Sequence, residues 1–359
     1  MTTALLAAFE QQAAWCDAPS PFTARLLRAS QSWLASNLAA QRDFAALAAD
    51  PLAAAVPLRW AGGLHLLALQ GQEPWASLWP PAEAGPGANE GALDAAIRLA
   101  WQTRQPLLRD ALSRPPQTNE TQRSAALLPG LLHIAGATGL PLALLELGAS
   151  AGLNLWCDRY RLAPVAEPPW SWGDARAPVD LQPAWTGPPP WTGAAPPALV
   201  VHSRAACDAH PVNLHQPQEA LRLASFIWPD QSARLARLRA AQAAVAGWMA
   251  AEGVQVQALP AAEFVQAELA LQRPGLATVL MHSVVWQYIA ADEQQVIIEA
   301  MDHAAARATP AAPLAWLRFE PDGPHGGVEL RCRIWPDGSE RLLARCHPHG
   351  LQVTWLHGA

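Results

Sequence analysis

Apolar residues along 3–17, 21–40, 55–70 and 91–112 recur at three- and four-residue intervals, the spacing of one buried helix face. Pro19, Pro21, Pro51, Pro80 and Pro81, with the Gly-Pro-Gly at 85–87, punctuate these stretches. No strand pattern interrupts them, so residues 1–128 are predicted to form an all-helical N-terminal domain of four to six helices. Residues 118–139 read as a bridging helix, capped by Thr118 or Asn119 and ending between Gly136 and Gly139. Beyond it the rhythm changes. Short apolar runs at 142–147, 198–203, 254–258, 276–281 and 313–319 alternate with helical stretches at 151–160, 217–252 and 291–307. That alternation predicts an α/β domain over 129–359 with a parallel sheet. Alternating runs at 328–335 and 339–346 flank Pro336-Asp337-Gly338 and predict a C-terminal antiparallel hairpin, with a last strand at 351–356. Residues 161–198 are rich in Pro and Trp and exceed a usual α/β connection, so they are predicted to be an insertion, a small antiparallel hairpin over the sheet edge.

Composition narrows the classes. The chain has 359 residues, 51% of them apolar and 15% charged, which fits a globular protein with a large core. No apolar window is long enough for a membrane span. The N-terminus lacks a basic leader and carries Glu10 within an amphipathic helix pattern, so a cytoplasmic protein is expected. All 24 basic residues are Arg, which excludes Walker-A, Schiff-base and Ser–Lys chemistry. A net charge of −6 argues against sequence-independent nucleic-acid binding. The five cysteines are scattered and odd in number, as reduced core thiols would be.

The chemistry concentrates in Leu142–Leu155, LALLELGASAGLNL. A buried strand runs into a small-residue turn, Glu146-x-Gly148-x-Ser150-x-Gly152, and then into a helix-compatible segment. In that geometry backbone N–H groups approach a nucleotide-like ligand, because a Cβ in the turn would block it. Ser150 stands where a dinucleotide fingerprint wants Gly, so a nicotinamide oxidoreductase ranks last. Two groupings suggest metal at first sight: His202, Cys207, His210 and His215, and Cys346, His347 and His349. Neither has a zinc spacing, and no metal is expected.

The strings TNETQRSAALLPGL, ELGASAGLNLWCDRY, CDAHPVNL, IWPDQSARLARLRAA and HSVVWQYI occur in this order over most of the chain. Together they resemble a bacterial family of domains of unknown function that is similar to class I S-adenosylmethionine (SAM) methyltransferases. The resemblance implies a methyltransferase-like, Rossmann-type sheet and SAM as cofactor. It implies that Glu146, Gly148, Ser150 and Gly152 hold the methionine part of the cofactor, with Asn154 nearby. Asp208, after strand two, is the candidate for the ribose hydroxyls, with Asp158 and Asp174 as rivals. After strand three, Leu259, Pro260 and Ala261 offer adenine no side-chain hydrogen bond. His282, at the end of strand four, is the candidate base, with Ser283, Trp286 and Tyr288 lining a substrate pocket. Asn119, Glu120 and Arg123 join that pocket if their helix crosses the C-terminal edge of the sheet. The expected function is methyl transfer to a small or medium substrate held between the helical domain and that edge. The alternative is a non-catalytic SAM- or nucleotide-binding module with a protein partner.

Overall fold

A computed structural model describes residues 2–80, 90–191, 195–321 and 327–356; Pro81 and the Gly-Pro-Gly at 85–87 lie outside the described residues. In chain order come α1 (Thr2–Cys16), α2 (Pro21–Ser36), α3 (Leu38–Ala45), α4 (Val56–Gln70), α5 (Glu90–Ser113) and α6 (Ser124–Thr138). Then follow β1 (Leu142–Leu147), β2 (Arg161–Leu162), β3 (Asp180–Leu181), β4 (Ala184–Thr186) and β5 (Val201–Asp208). Next are α7 (Pro217–Ser225), α8 (Ser232–Glu252), β6 (Val256–Ala258), α9 (Ala261–Ala270), β7 (Ala277–Ser283), α10 (Ala291–Ala305) and β8 (Leu314–Glu320). The chain closes with β9 (Val328–Trp335), β10 (Glu340–Cys346) and β11 (Gln352–Trp355).

These elements gather into two units, Met1–Thr118 with His215–Arg239, and Asn119–Leu214 with Ala240–Ala359. The predicted boundary at 128 falls inside α6, which belongs wholly to the second unit.

The first unit is helical. Two of its helices start where the sequence supplies caps: Ser20 accepts the Thr23 N–H ahead of Pro21, and Asn37 accepts that of Ala40. The later segment joins it through the Asp230 carboxylate, which accepts the Phe22 N–H at 2.9 Å. Gly62 lets the Phe226 ring approach; a Cβ there would come within 2.8 Å of it. The core is aromatic, with Trp33 and Trp60 stacked at 5.4 Å and Phe44 and Trp101 edge-on to Trp60.

The second unit is built on a nine-stranded sheet of order β4-β11-β10-β9-β8-β7-β1-β5-β6. The block β6-β5-β1-β7-β8 is parallel throughout. Numbered by appearance within that block, the order is 3-2-1-4-5, a Rossmann-like arrangement that reverses at β1. The C-terminal strands continue as an antiparallel meander. On one face, Leu145, Leu147 and Leu280 pack with Phe264 and Val265 of α9 and Ile297 and Met301 of α10. Gly130 of α6 sits so close to Leu317 of β8 that a Cβ would come within 2.6 Å of it.

Four expectations are corrected. The segment after the glycine turn is a short 3-10 stretch, Asn154–Arg159, not a helix over 151–160. Its carbonyls are captured by side chains: Leu153 O accepts from the Tyr160 hydroxyl and Leu155 O from Arg204 Nε. Strand two runs over Val201–Asp208, later than its most apolar residues, because its register is set by pairing of Ala143 to Leu147 with Ser203 to Cys207. The insertion is only in small part a hairpin: Leu162 and Trp172 form one antiparallel bridge, but β2 and β3 pair in parallel, and β4 extends the main sheet beside β11. Neither Thr118 nor Asn119 caps the bridging helix; Glu120 caps the short turn before α6 through the Gln122 N–H.

Candidate functional site

In an open parallel sheet, ligands bind beyond the carboxyl ends of the strands, at the point where strand order reverses. Here that edge carries Glu146 near the end of β1, Asp208 ending β5, His282 and Ser283 ending β7 and Glu320 ending β8. The turn after β1 is sharply folded: Gly148, Ser150 and Gly152 all have left-handed backbone, with φ of 62°, 53° and 72°. A Cβ on Gly148 would run into Val285, and one on Gly152 would come within 2.6 Å of Met249.

Glu146 is only 2% exposed. Burial, followed by the nearby Asp208 charge, pushes its carboxyl up from an ordinary 4.5 to about 8, against one backbone hydrogen bond from Leu155. At neutral pH it therefore carries a proton. Its Oε2 and the Ser150 hydroxyl are buried without a partner. Asp208 accepts the Ser150 N–H at 2.8 Å and the His210 N–H at 2.7 Å, one on each oxygen. A carboxylate oxygen accepts more than one hydrogen bond, so both keep capacity. Of its rivals, Asp158 is committed to the buried Arg204, whose guanidinium lies 4.2 Å over Trp156, and Asp174 pairs with Arg176.

The buried segment 119–124 is drawn into the same edge. Asn119 Oδ1 accepts the Leu153 N–H at 2.9 Å, and the Ser124 hydroxyl donates to Asn154 Oδ1 at 2.7 Å. Arg123 donates to Ser283 O at 3.2 Å and to Pro348 O at 3.1 Å. Glu120, 5% exposed, lies 3.4 Å from His349 Nδ1. Asn119, Glu120, Arg123 and Asn154 thus meet around the glycine turn and the end of β7.

His282 is fully buried. Its Nδ1 donates to Glu320 Oε1 at 2.6 Å, and its Nε2 accepts from the Trp316 indole at 3.1 Å. The network assigns the neutral Nδ1–H tautomer. Both nitrogens are engaged, so in this arrangement His282 offers none to a substrate. Trp286 stacks on it at 5.2 Å. Tyr288, 77% exposed, is not drawn into the cluster.

Glu320 itself escaped the sequence reading, although the rule applied to strands one, two and four, to look at the residue closing each strand, would have found it. Its Oε1 accepts His282, the Val285 N–H at 3.1 Å and the Trp286 N–H at 3.3 Å, while Oε2 is buried with no partner. The donating loop contains Val284 at φ 52°, a strained conformation for a β-branched residue.

After β6, Leu259 to Ala261 lead directly into α9, whose Ala262 N–H is taken by Glu293. Among the described residues no group of three or more His, Cys, Asp or Glu side chains comes together as a metal would require. Burial holds the Cys207 and Cys346 thiols up at about 12. No helix among the described residues is long and apolar enough to cross a membrane.

Neither a curated protein nor a solved structure matches the chain. The sequence model of a family described as "Uncharacterized protein conserved in bacteria (DUF2332)" matches residues 6–355. With that match spanning nearly the whole chain, the protein belongs to this bacterial family.

Proposed function

We propose that the C-terminal edge of the sheet at β1 holds SAM and that the protein transfers its methyl group to a small or medium substrate. The observation that carries this reading is the turn at the strand-order reversal. Three left-handed residues bring backbone close, and two buried polar atoms, Glu146 Oε2 and Ser150 Oγ, wait without partners. Unsatisfied buried oxygens are costly and call for an explanation, which a polar ligand supplies. The residues present fit the group in part. Glu146 and Ser150 would meet the methionine portion, and Asp208, oriented by two N–H donors, would meet the ribose hydroxyls. Adenine would rest on backbone and apolar surface, since the residues after β6 provide no side-chain donor. The short 3-10 segment also supplies no helix dipole, so an anionic group here relies on individual N–H groups.

When bound, SAM supplies an electrophilic methyl group. The protein's own part is to orient two reactants and exclude water. The segment 119–124 does this by fixing the glycine turn through Asn119 and Ser124 and the end of β7 through Arg123.

A second reading, a SAM- or nucleotide-binding module without catalysis, draws on one specific observation: His282 has both ring nitrogens engaged, so no free base stands at the end of β7. A screen for S-adenosylhomocysteine release over pooled small metabolites separates the two. Release that depends on an added pool supports methyl transfer. SAM binding without release from any pool supports the module.

A further inference from the structure

The carboxyl of Glu320 is arranged for a ligand that no other group among the described residues supplies. It is 6% exposed, three donors crowd onto Oε1, and Oε2 has none. All three donors are neutral: an imidazole whose other nitrogen accepts an indole N–H, and two backbone amides. The residue directly opposite on β9, Glu329, makes the contrast. It is similarly buried, yet Arg331 meets it at 2.6 Å and Arg345 at 3.5 Å. Two facing carboxyls favour a cation between or beside them, and only one of the pair has received it. The nearest candidate on the same strand face, Arg318, is committed elsewhere, to Glu340 and to the face of Trp316 at 4.9 Å.

Aromatic side chains gather beside this carboxyl, through His282 on Oε1. His282, Trp286 and Trp316 form one cluster, and Trp286, half-buried, is carried by the strained loop whose amides hold Oε1. A carboxylate beside an indole face is the chemistry that recognises a protonated amine: charge-assisted hydrogen bonding on one side and cation–π attraction on the other. A metal ion needs several oxygen or nitrogen ligands, and no such group of three lies here among the described residues. We infer that the Glu320 carboxyl, through its unpartnered Oε2 and with the Trp286 ring in the adjoining aromatic cluster, is the recognition site for a primary or methylated ammonium group on a small molecule. Oε2 is buried, so entry requires local opening around it, and the neighbouring loop that carries Trp286 holds Val284 at a left-handed φ of 52°. Naming this molecule the methyl acceptor rests on the methyl-transfer reading; its binding does not.

The test is ligand-observed NMR with benzylammonium against its neutral counterpart benzyl alcohol, on the full chain without SAM. The expected result is that the ammonium binds at least about tenfold more tightly than the alcohol. Glu320→Gln keeps Oε1 for its three donors and should erase that preference. Trp286→Ala should weaken both probes by a few-fold. Urea midpoints and SAM titrations on the same variants verify that fold and cofactor binding persist. Equal binding of the two probes, a preference unchanged in Glu320→Gln, or no ammonium binding at millimolar concentration overturns the assignment. SAM binding with no ammonium preference removes the amine site and leaves the cofactor reading standing; the opposite pattern removes the cofactor reading alone.

Discussion

In the helical unit, buried bulk is aromatic and its polar handles are mostly answered: Trp60 stacks on Trp33 and gives its indole N–H to Ser30 at 2.8 Å. Among the described residues, the buried atoms without a partner there include ring and guanidinium nitrogens, on His65, Trp75, Trp79 and Arg59. The sheet edge of the α/β unit does the reverse. It buries Glu120, Glu146 and Glu320 with Asn119, Gln122, Ser150 and Asn154, and leaves oxygens of Glu146, Gln122, Ser150 and Glu320 without partners. It also contains two of the three left-handed non-glycine residues among the described residues, Ser150 and Val284; the third, Ala55, precedes α4 in the helical unit. A core needs neither feature for stability, and both cost free energy. Their concentration at one edge of one sheet identifies the place in this chain where stability has been given up, which is where function is expected.

The contrast breaks down if the two regions respond alike to substitution. The largest effect expected is in the helical core: Trp60→Ala should cost about 3–5 kcal/mol in urea unfolding, because it empties a site packed on three rings. At the sheet edge, removing a titratable carboxyl should instead help at alkaline pH. The Glu146 carboxyl is held at about 8 against an ordinary 4.5, so the folded protein keeps a proton that the unfolded chain has released. Its stabilising contribution is complete below pH 4.5 and is lost as pH rises to 8. Glu146→Gln should abolish that slope and be the more stable protein at pH 8 and above, by an amount on the order of 4 kcal/mol. His65 shows the opposite sign. Burial depresses it from 6.5 to about 4, so its contribution is complete above pH 6.5 and lost as pH falls to 4. His65→Gln should reduce that acid-side slope, worth on the order of 3 kcal/mol, as read from urea midpoints between those pH values. The smallest effect belongs to Gly148→Ala, where a left-handed φ of 62° and the Val285 side chain oppose the new methyl. A loss of about 2 kcal/mol in urea unfolding is expected; a neutral result would mean that the turn is looser than its geometry implies.

Local patterns made several elements legible. The hairpin of β9 and β10 was readable from alternation around Pro336-Asp337-Gly338, since Gly338 supplies the left-handed residue that the turn needs, at φ 74°. The glycine turn after β1 was readable for the same reason. The segment after that turn was not, because its helix is undone by Tyr160 and by Arg204, which is 49 residues away from the carbonyl it captures. The length of the insertion was legible from its Pro and Trp, but its pairing beside β11 was not. Gathering of 119–124 onto the sheet edge is not encoded locally, because its contacts reach across to 283 and 348. The place of Glu320 at a strand end is a local feature, but its partnership depends on register: pairing of His282 with Arg318 puts Trp316 and Glu320 on either side of the imidazole, and no local signal encodes that pairing.

The most direct test of the proposed cofactor is isothermal calorimetry of the full chain with SAM, S-adenosylhomocysteine and NAD(H), alongside Glu146→Ala. The account predicts one binding event per chain for SAM and S-adenosylhomocysteine, none for NAD(H), and markedly weaker SAM binding in the variant. A folded wild-type protein that binds neither SAM nor S-adenosylhomocysteine at millimolar concentration would contradict it.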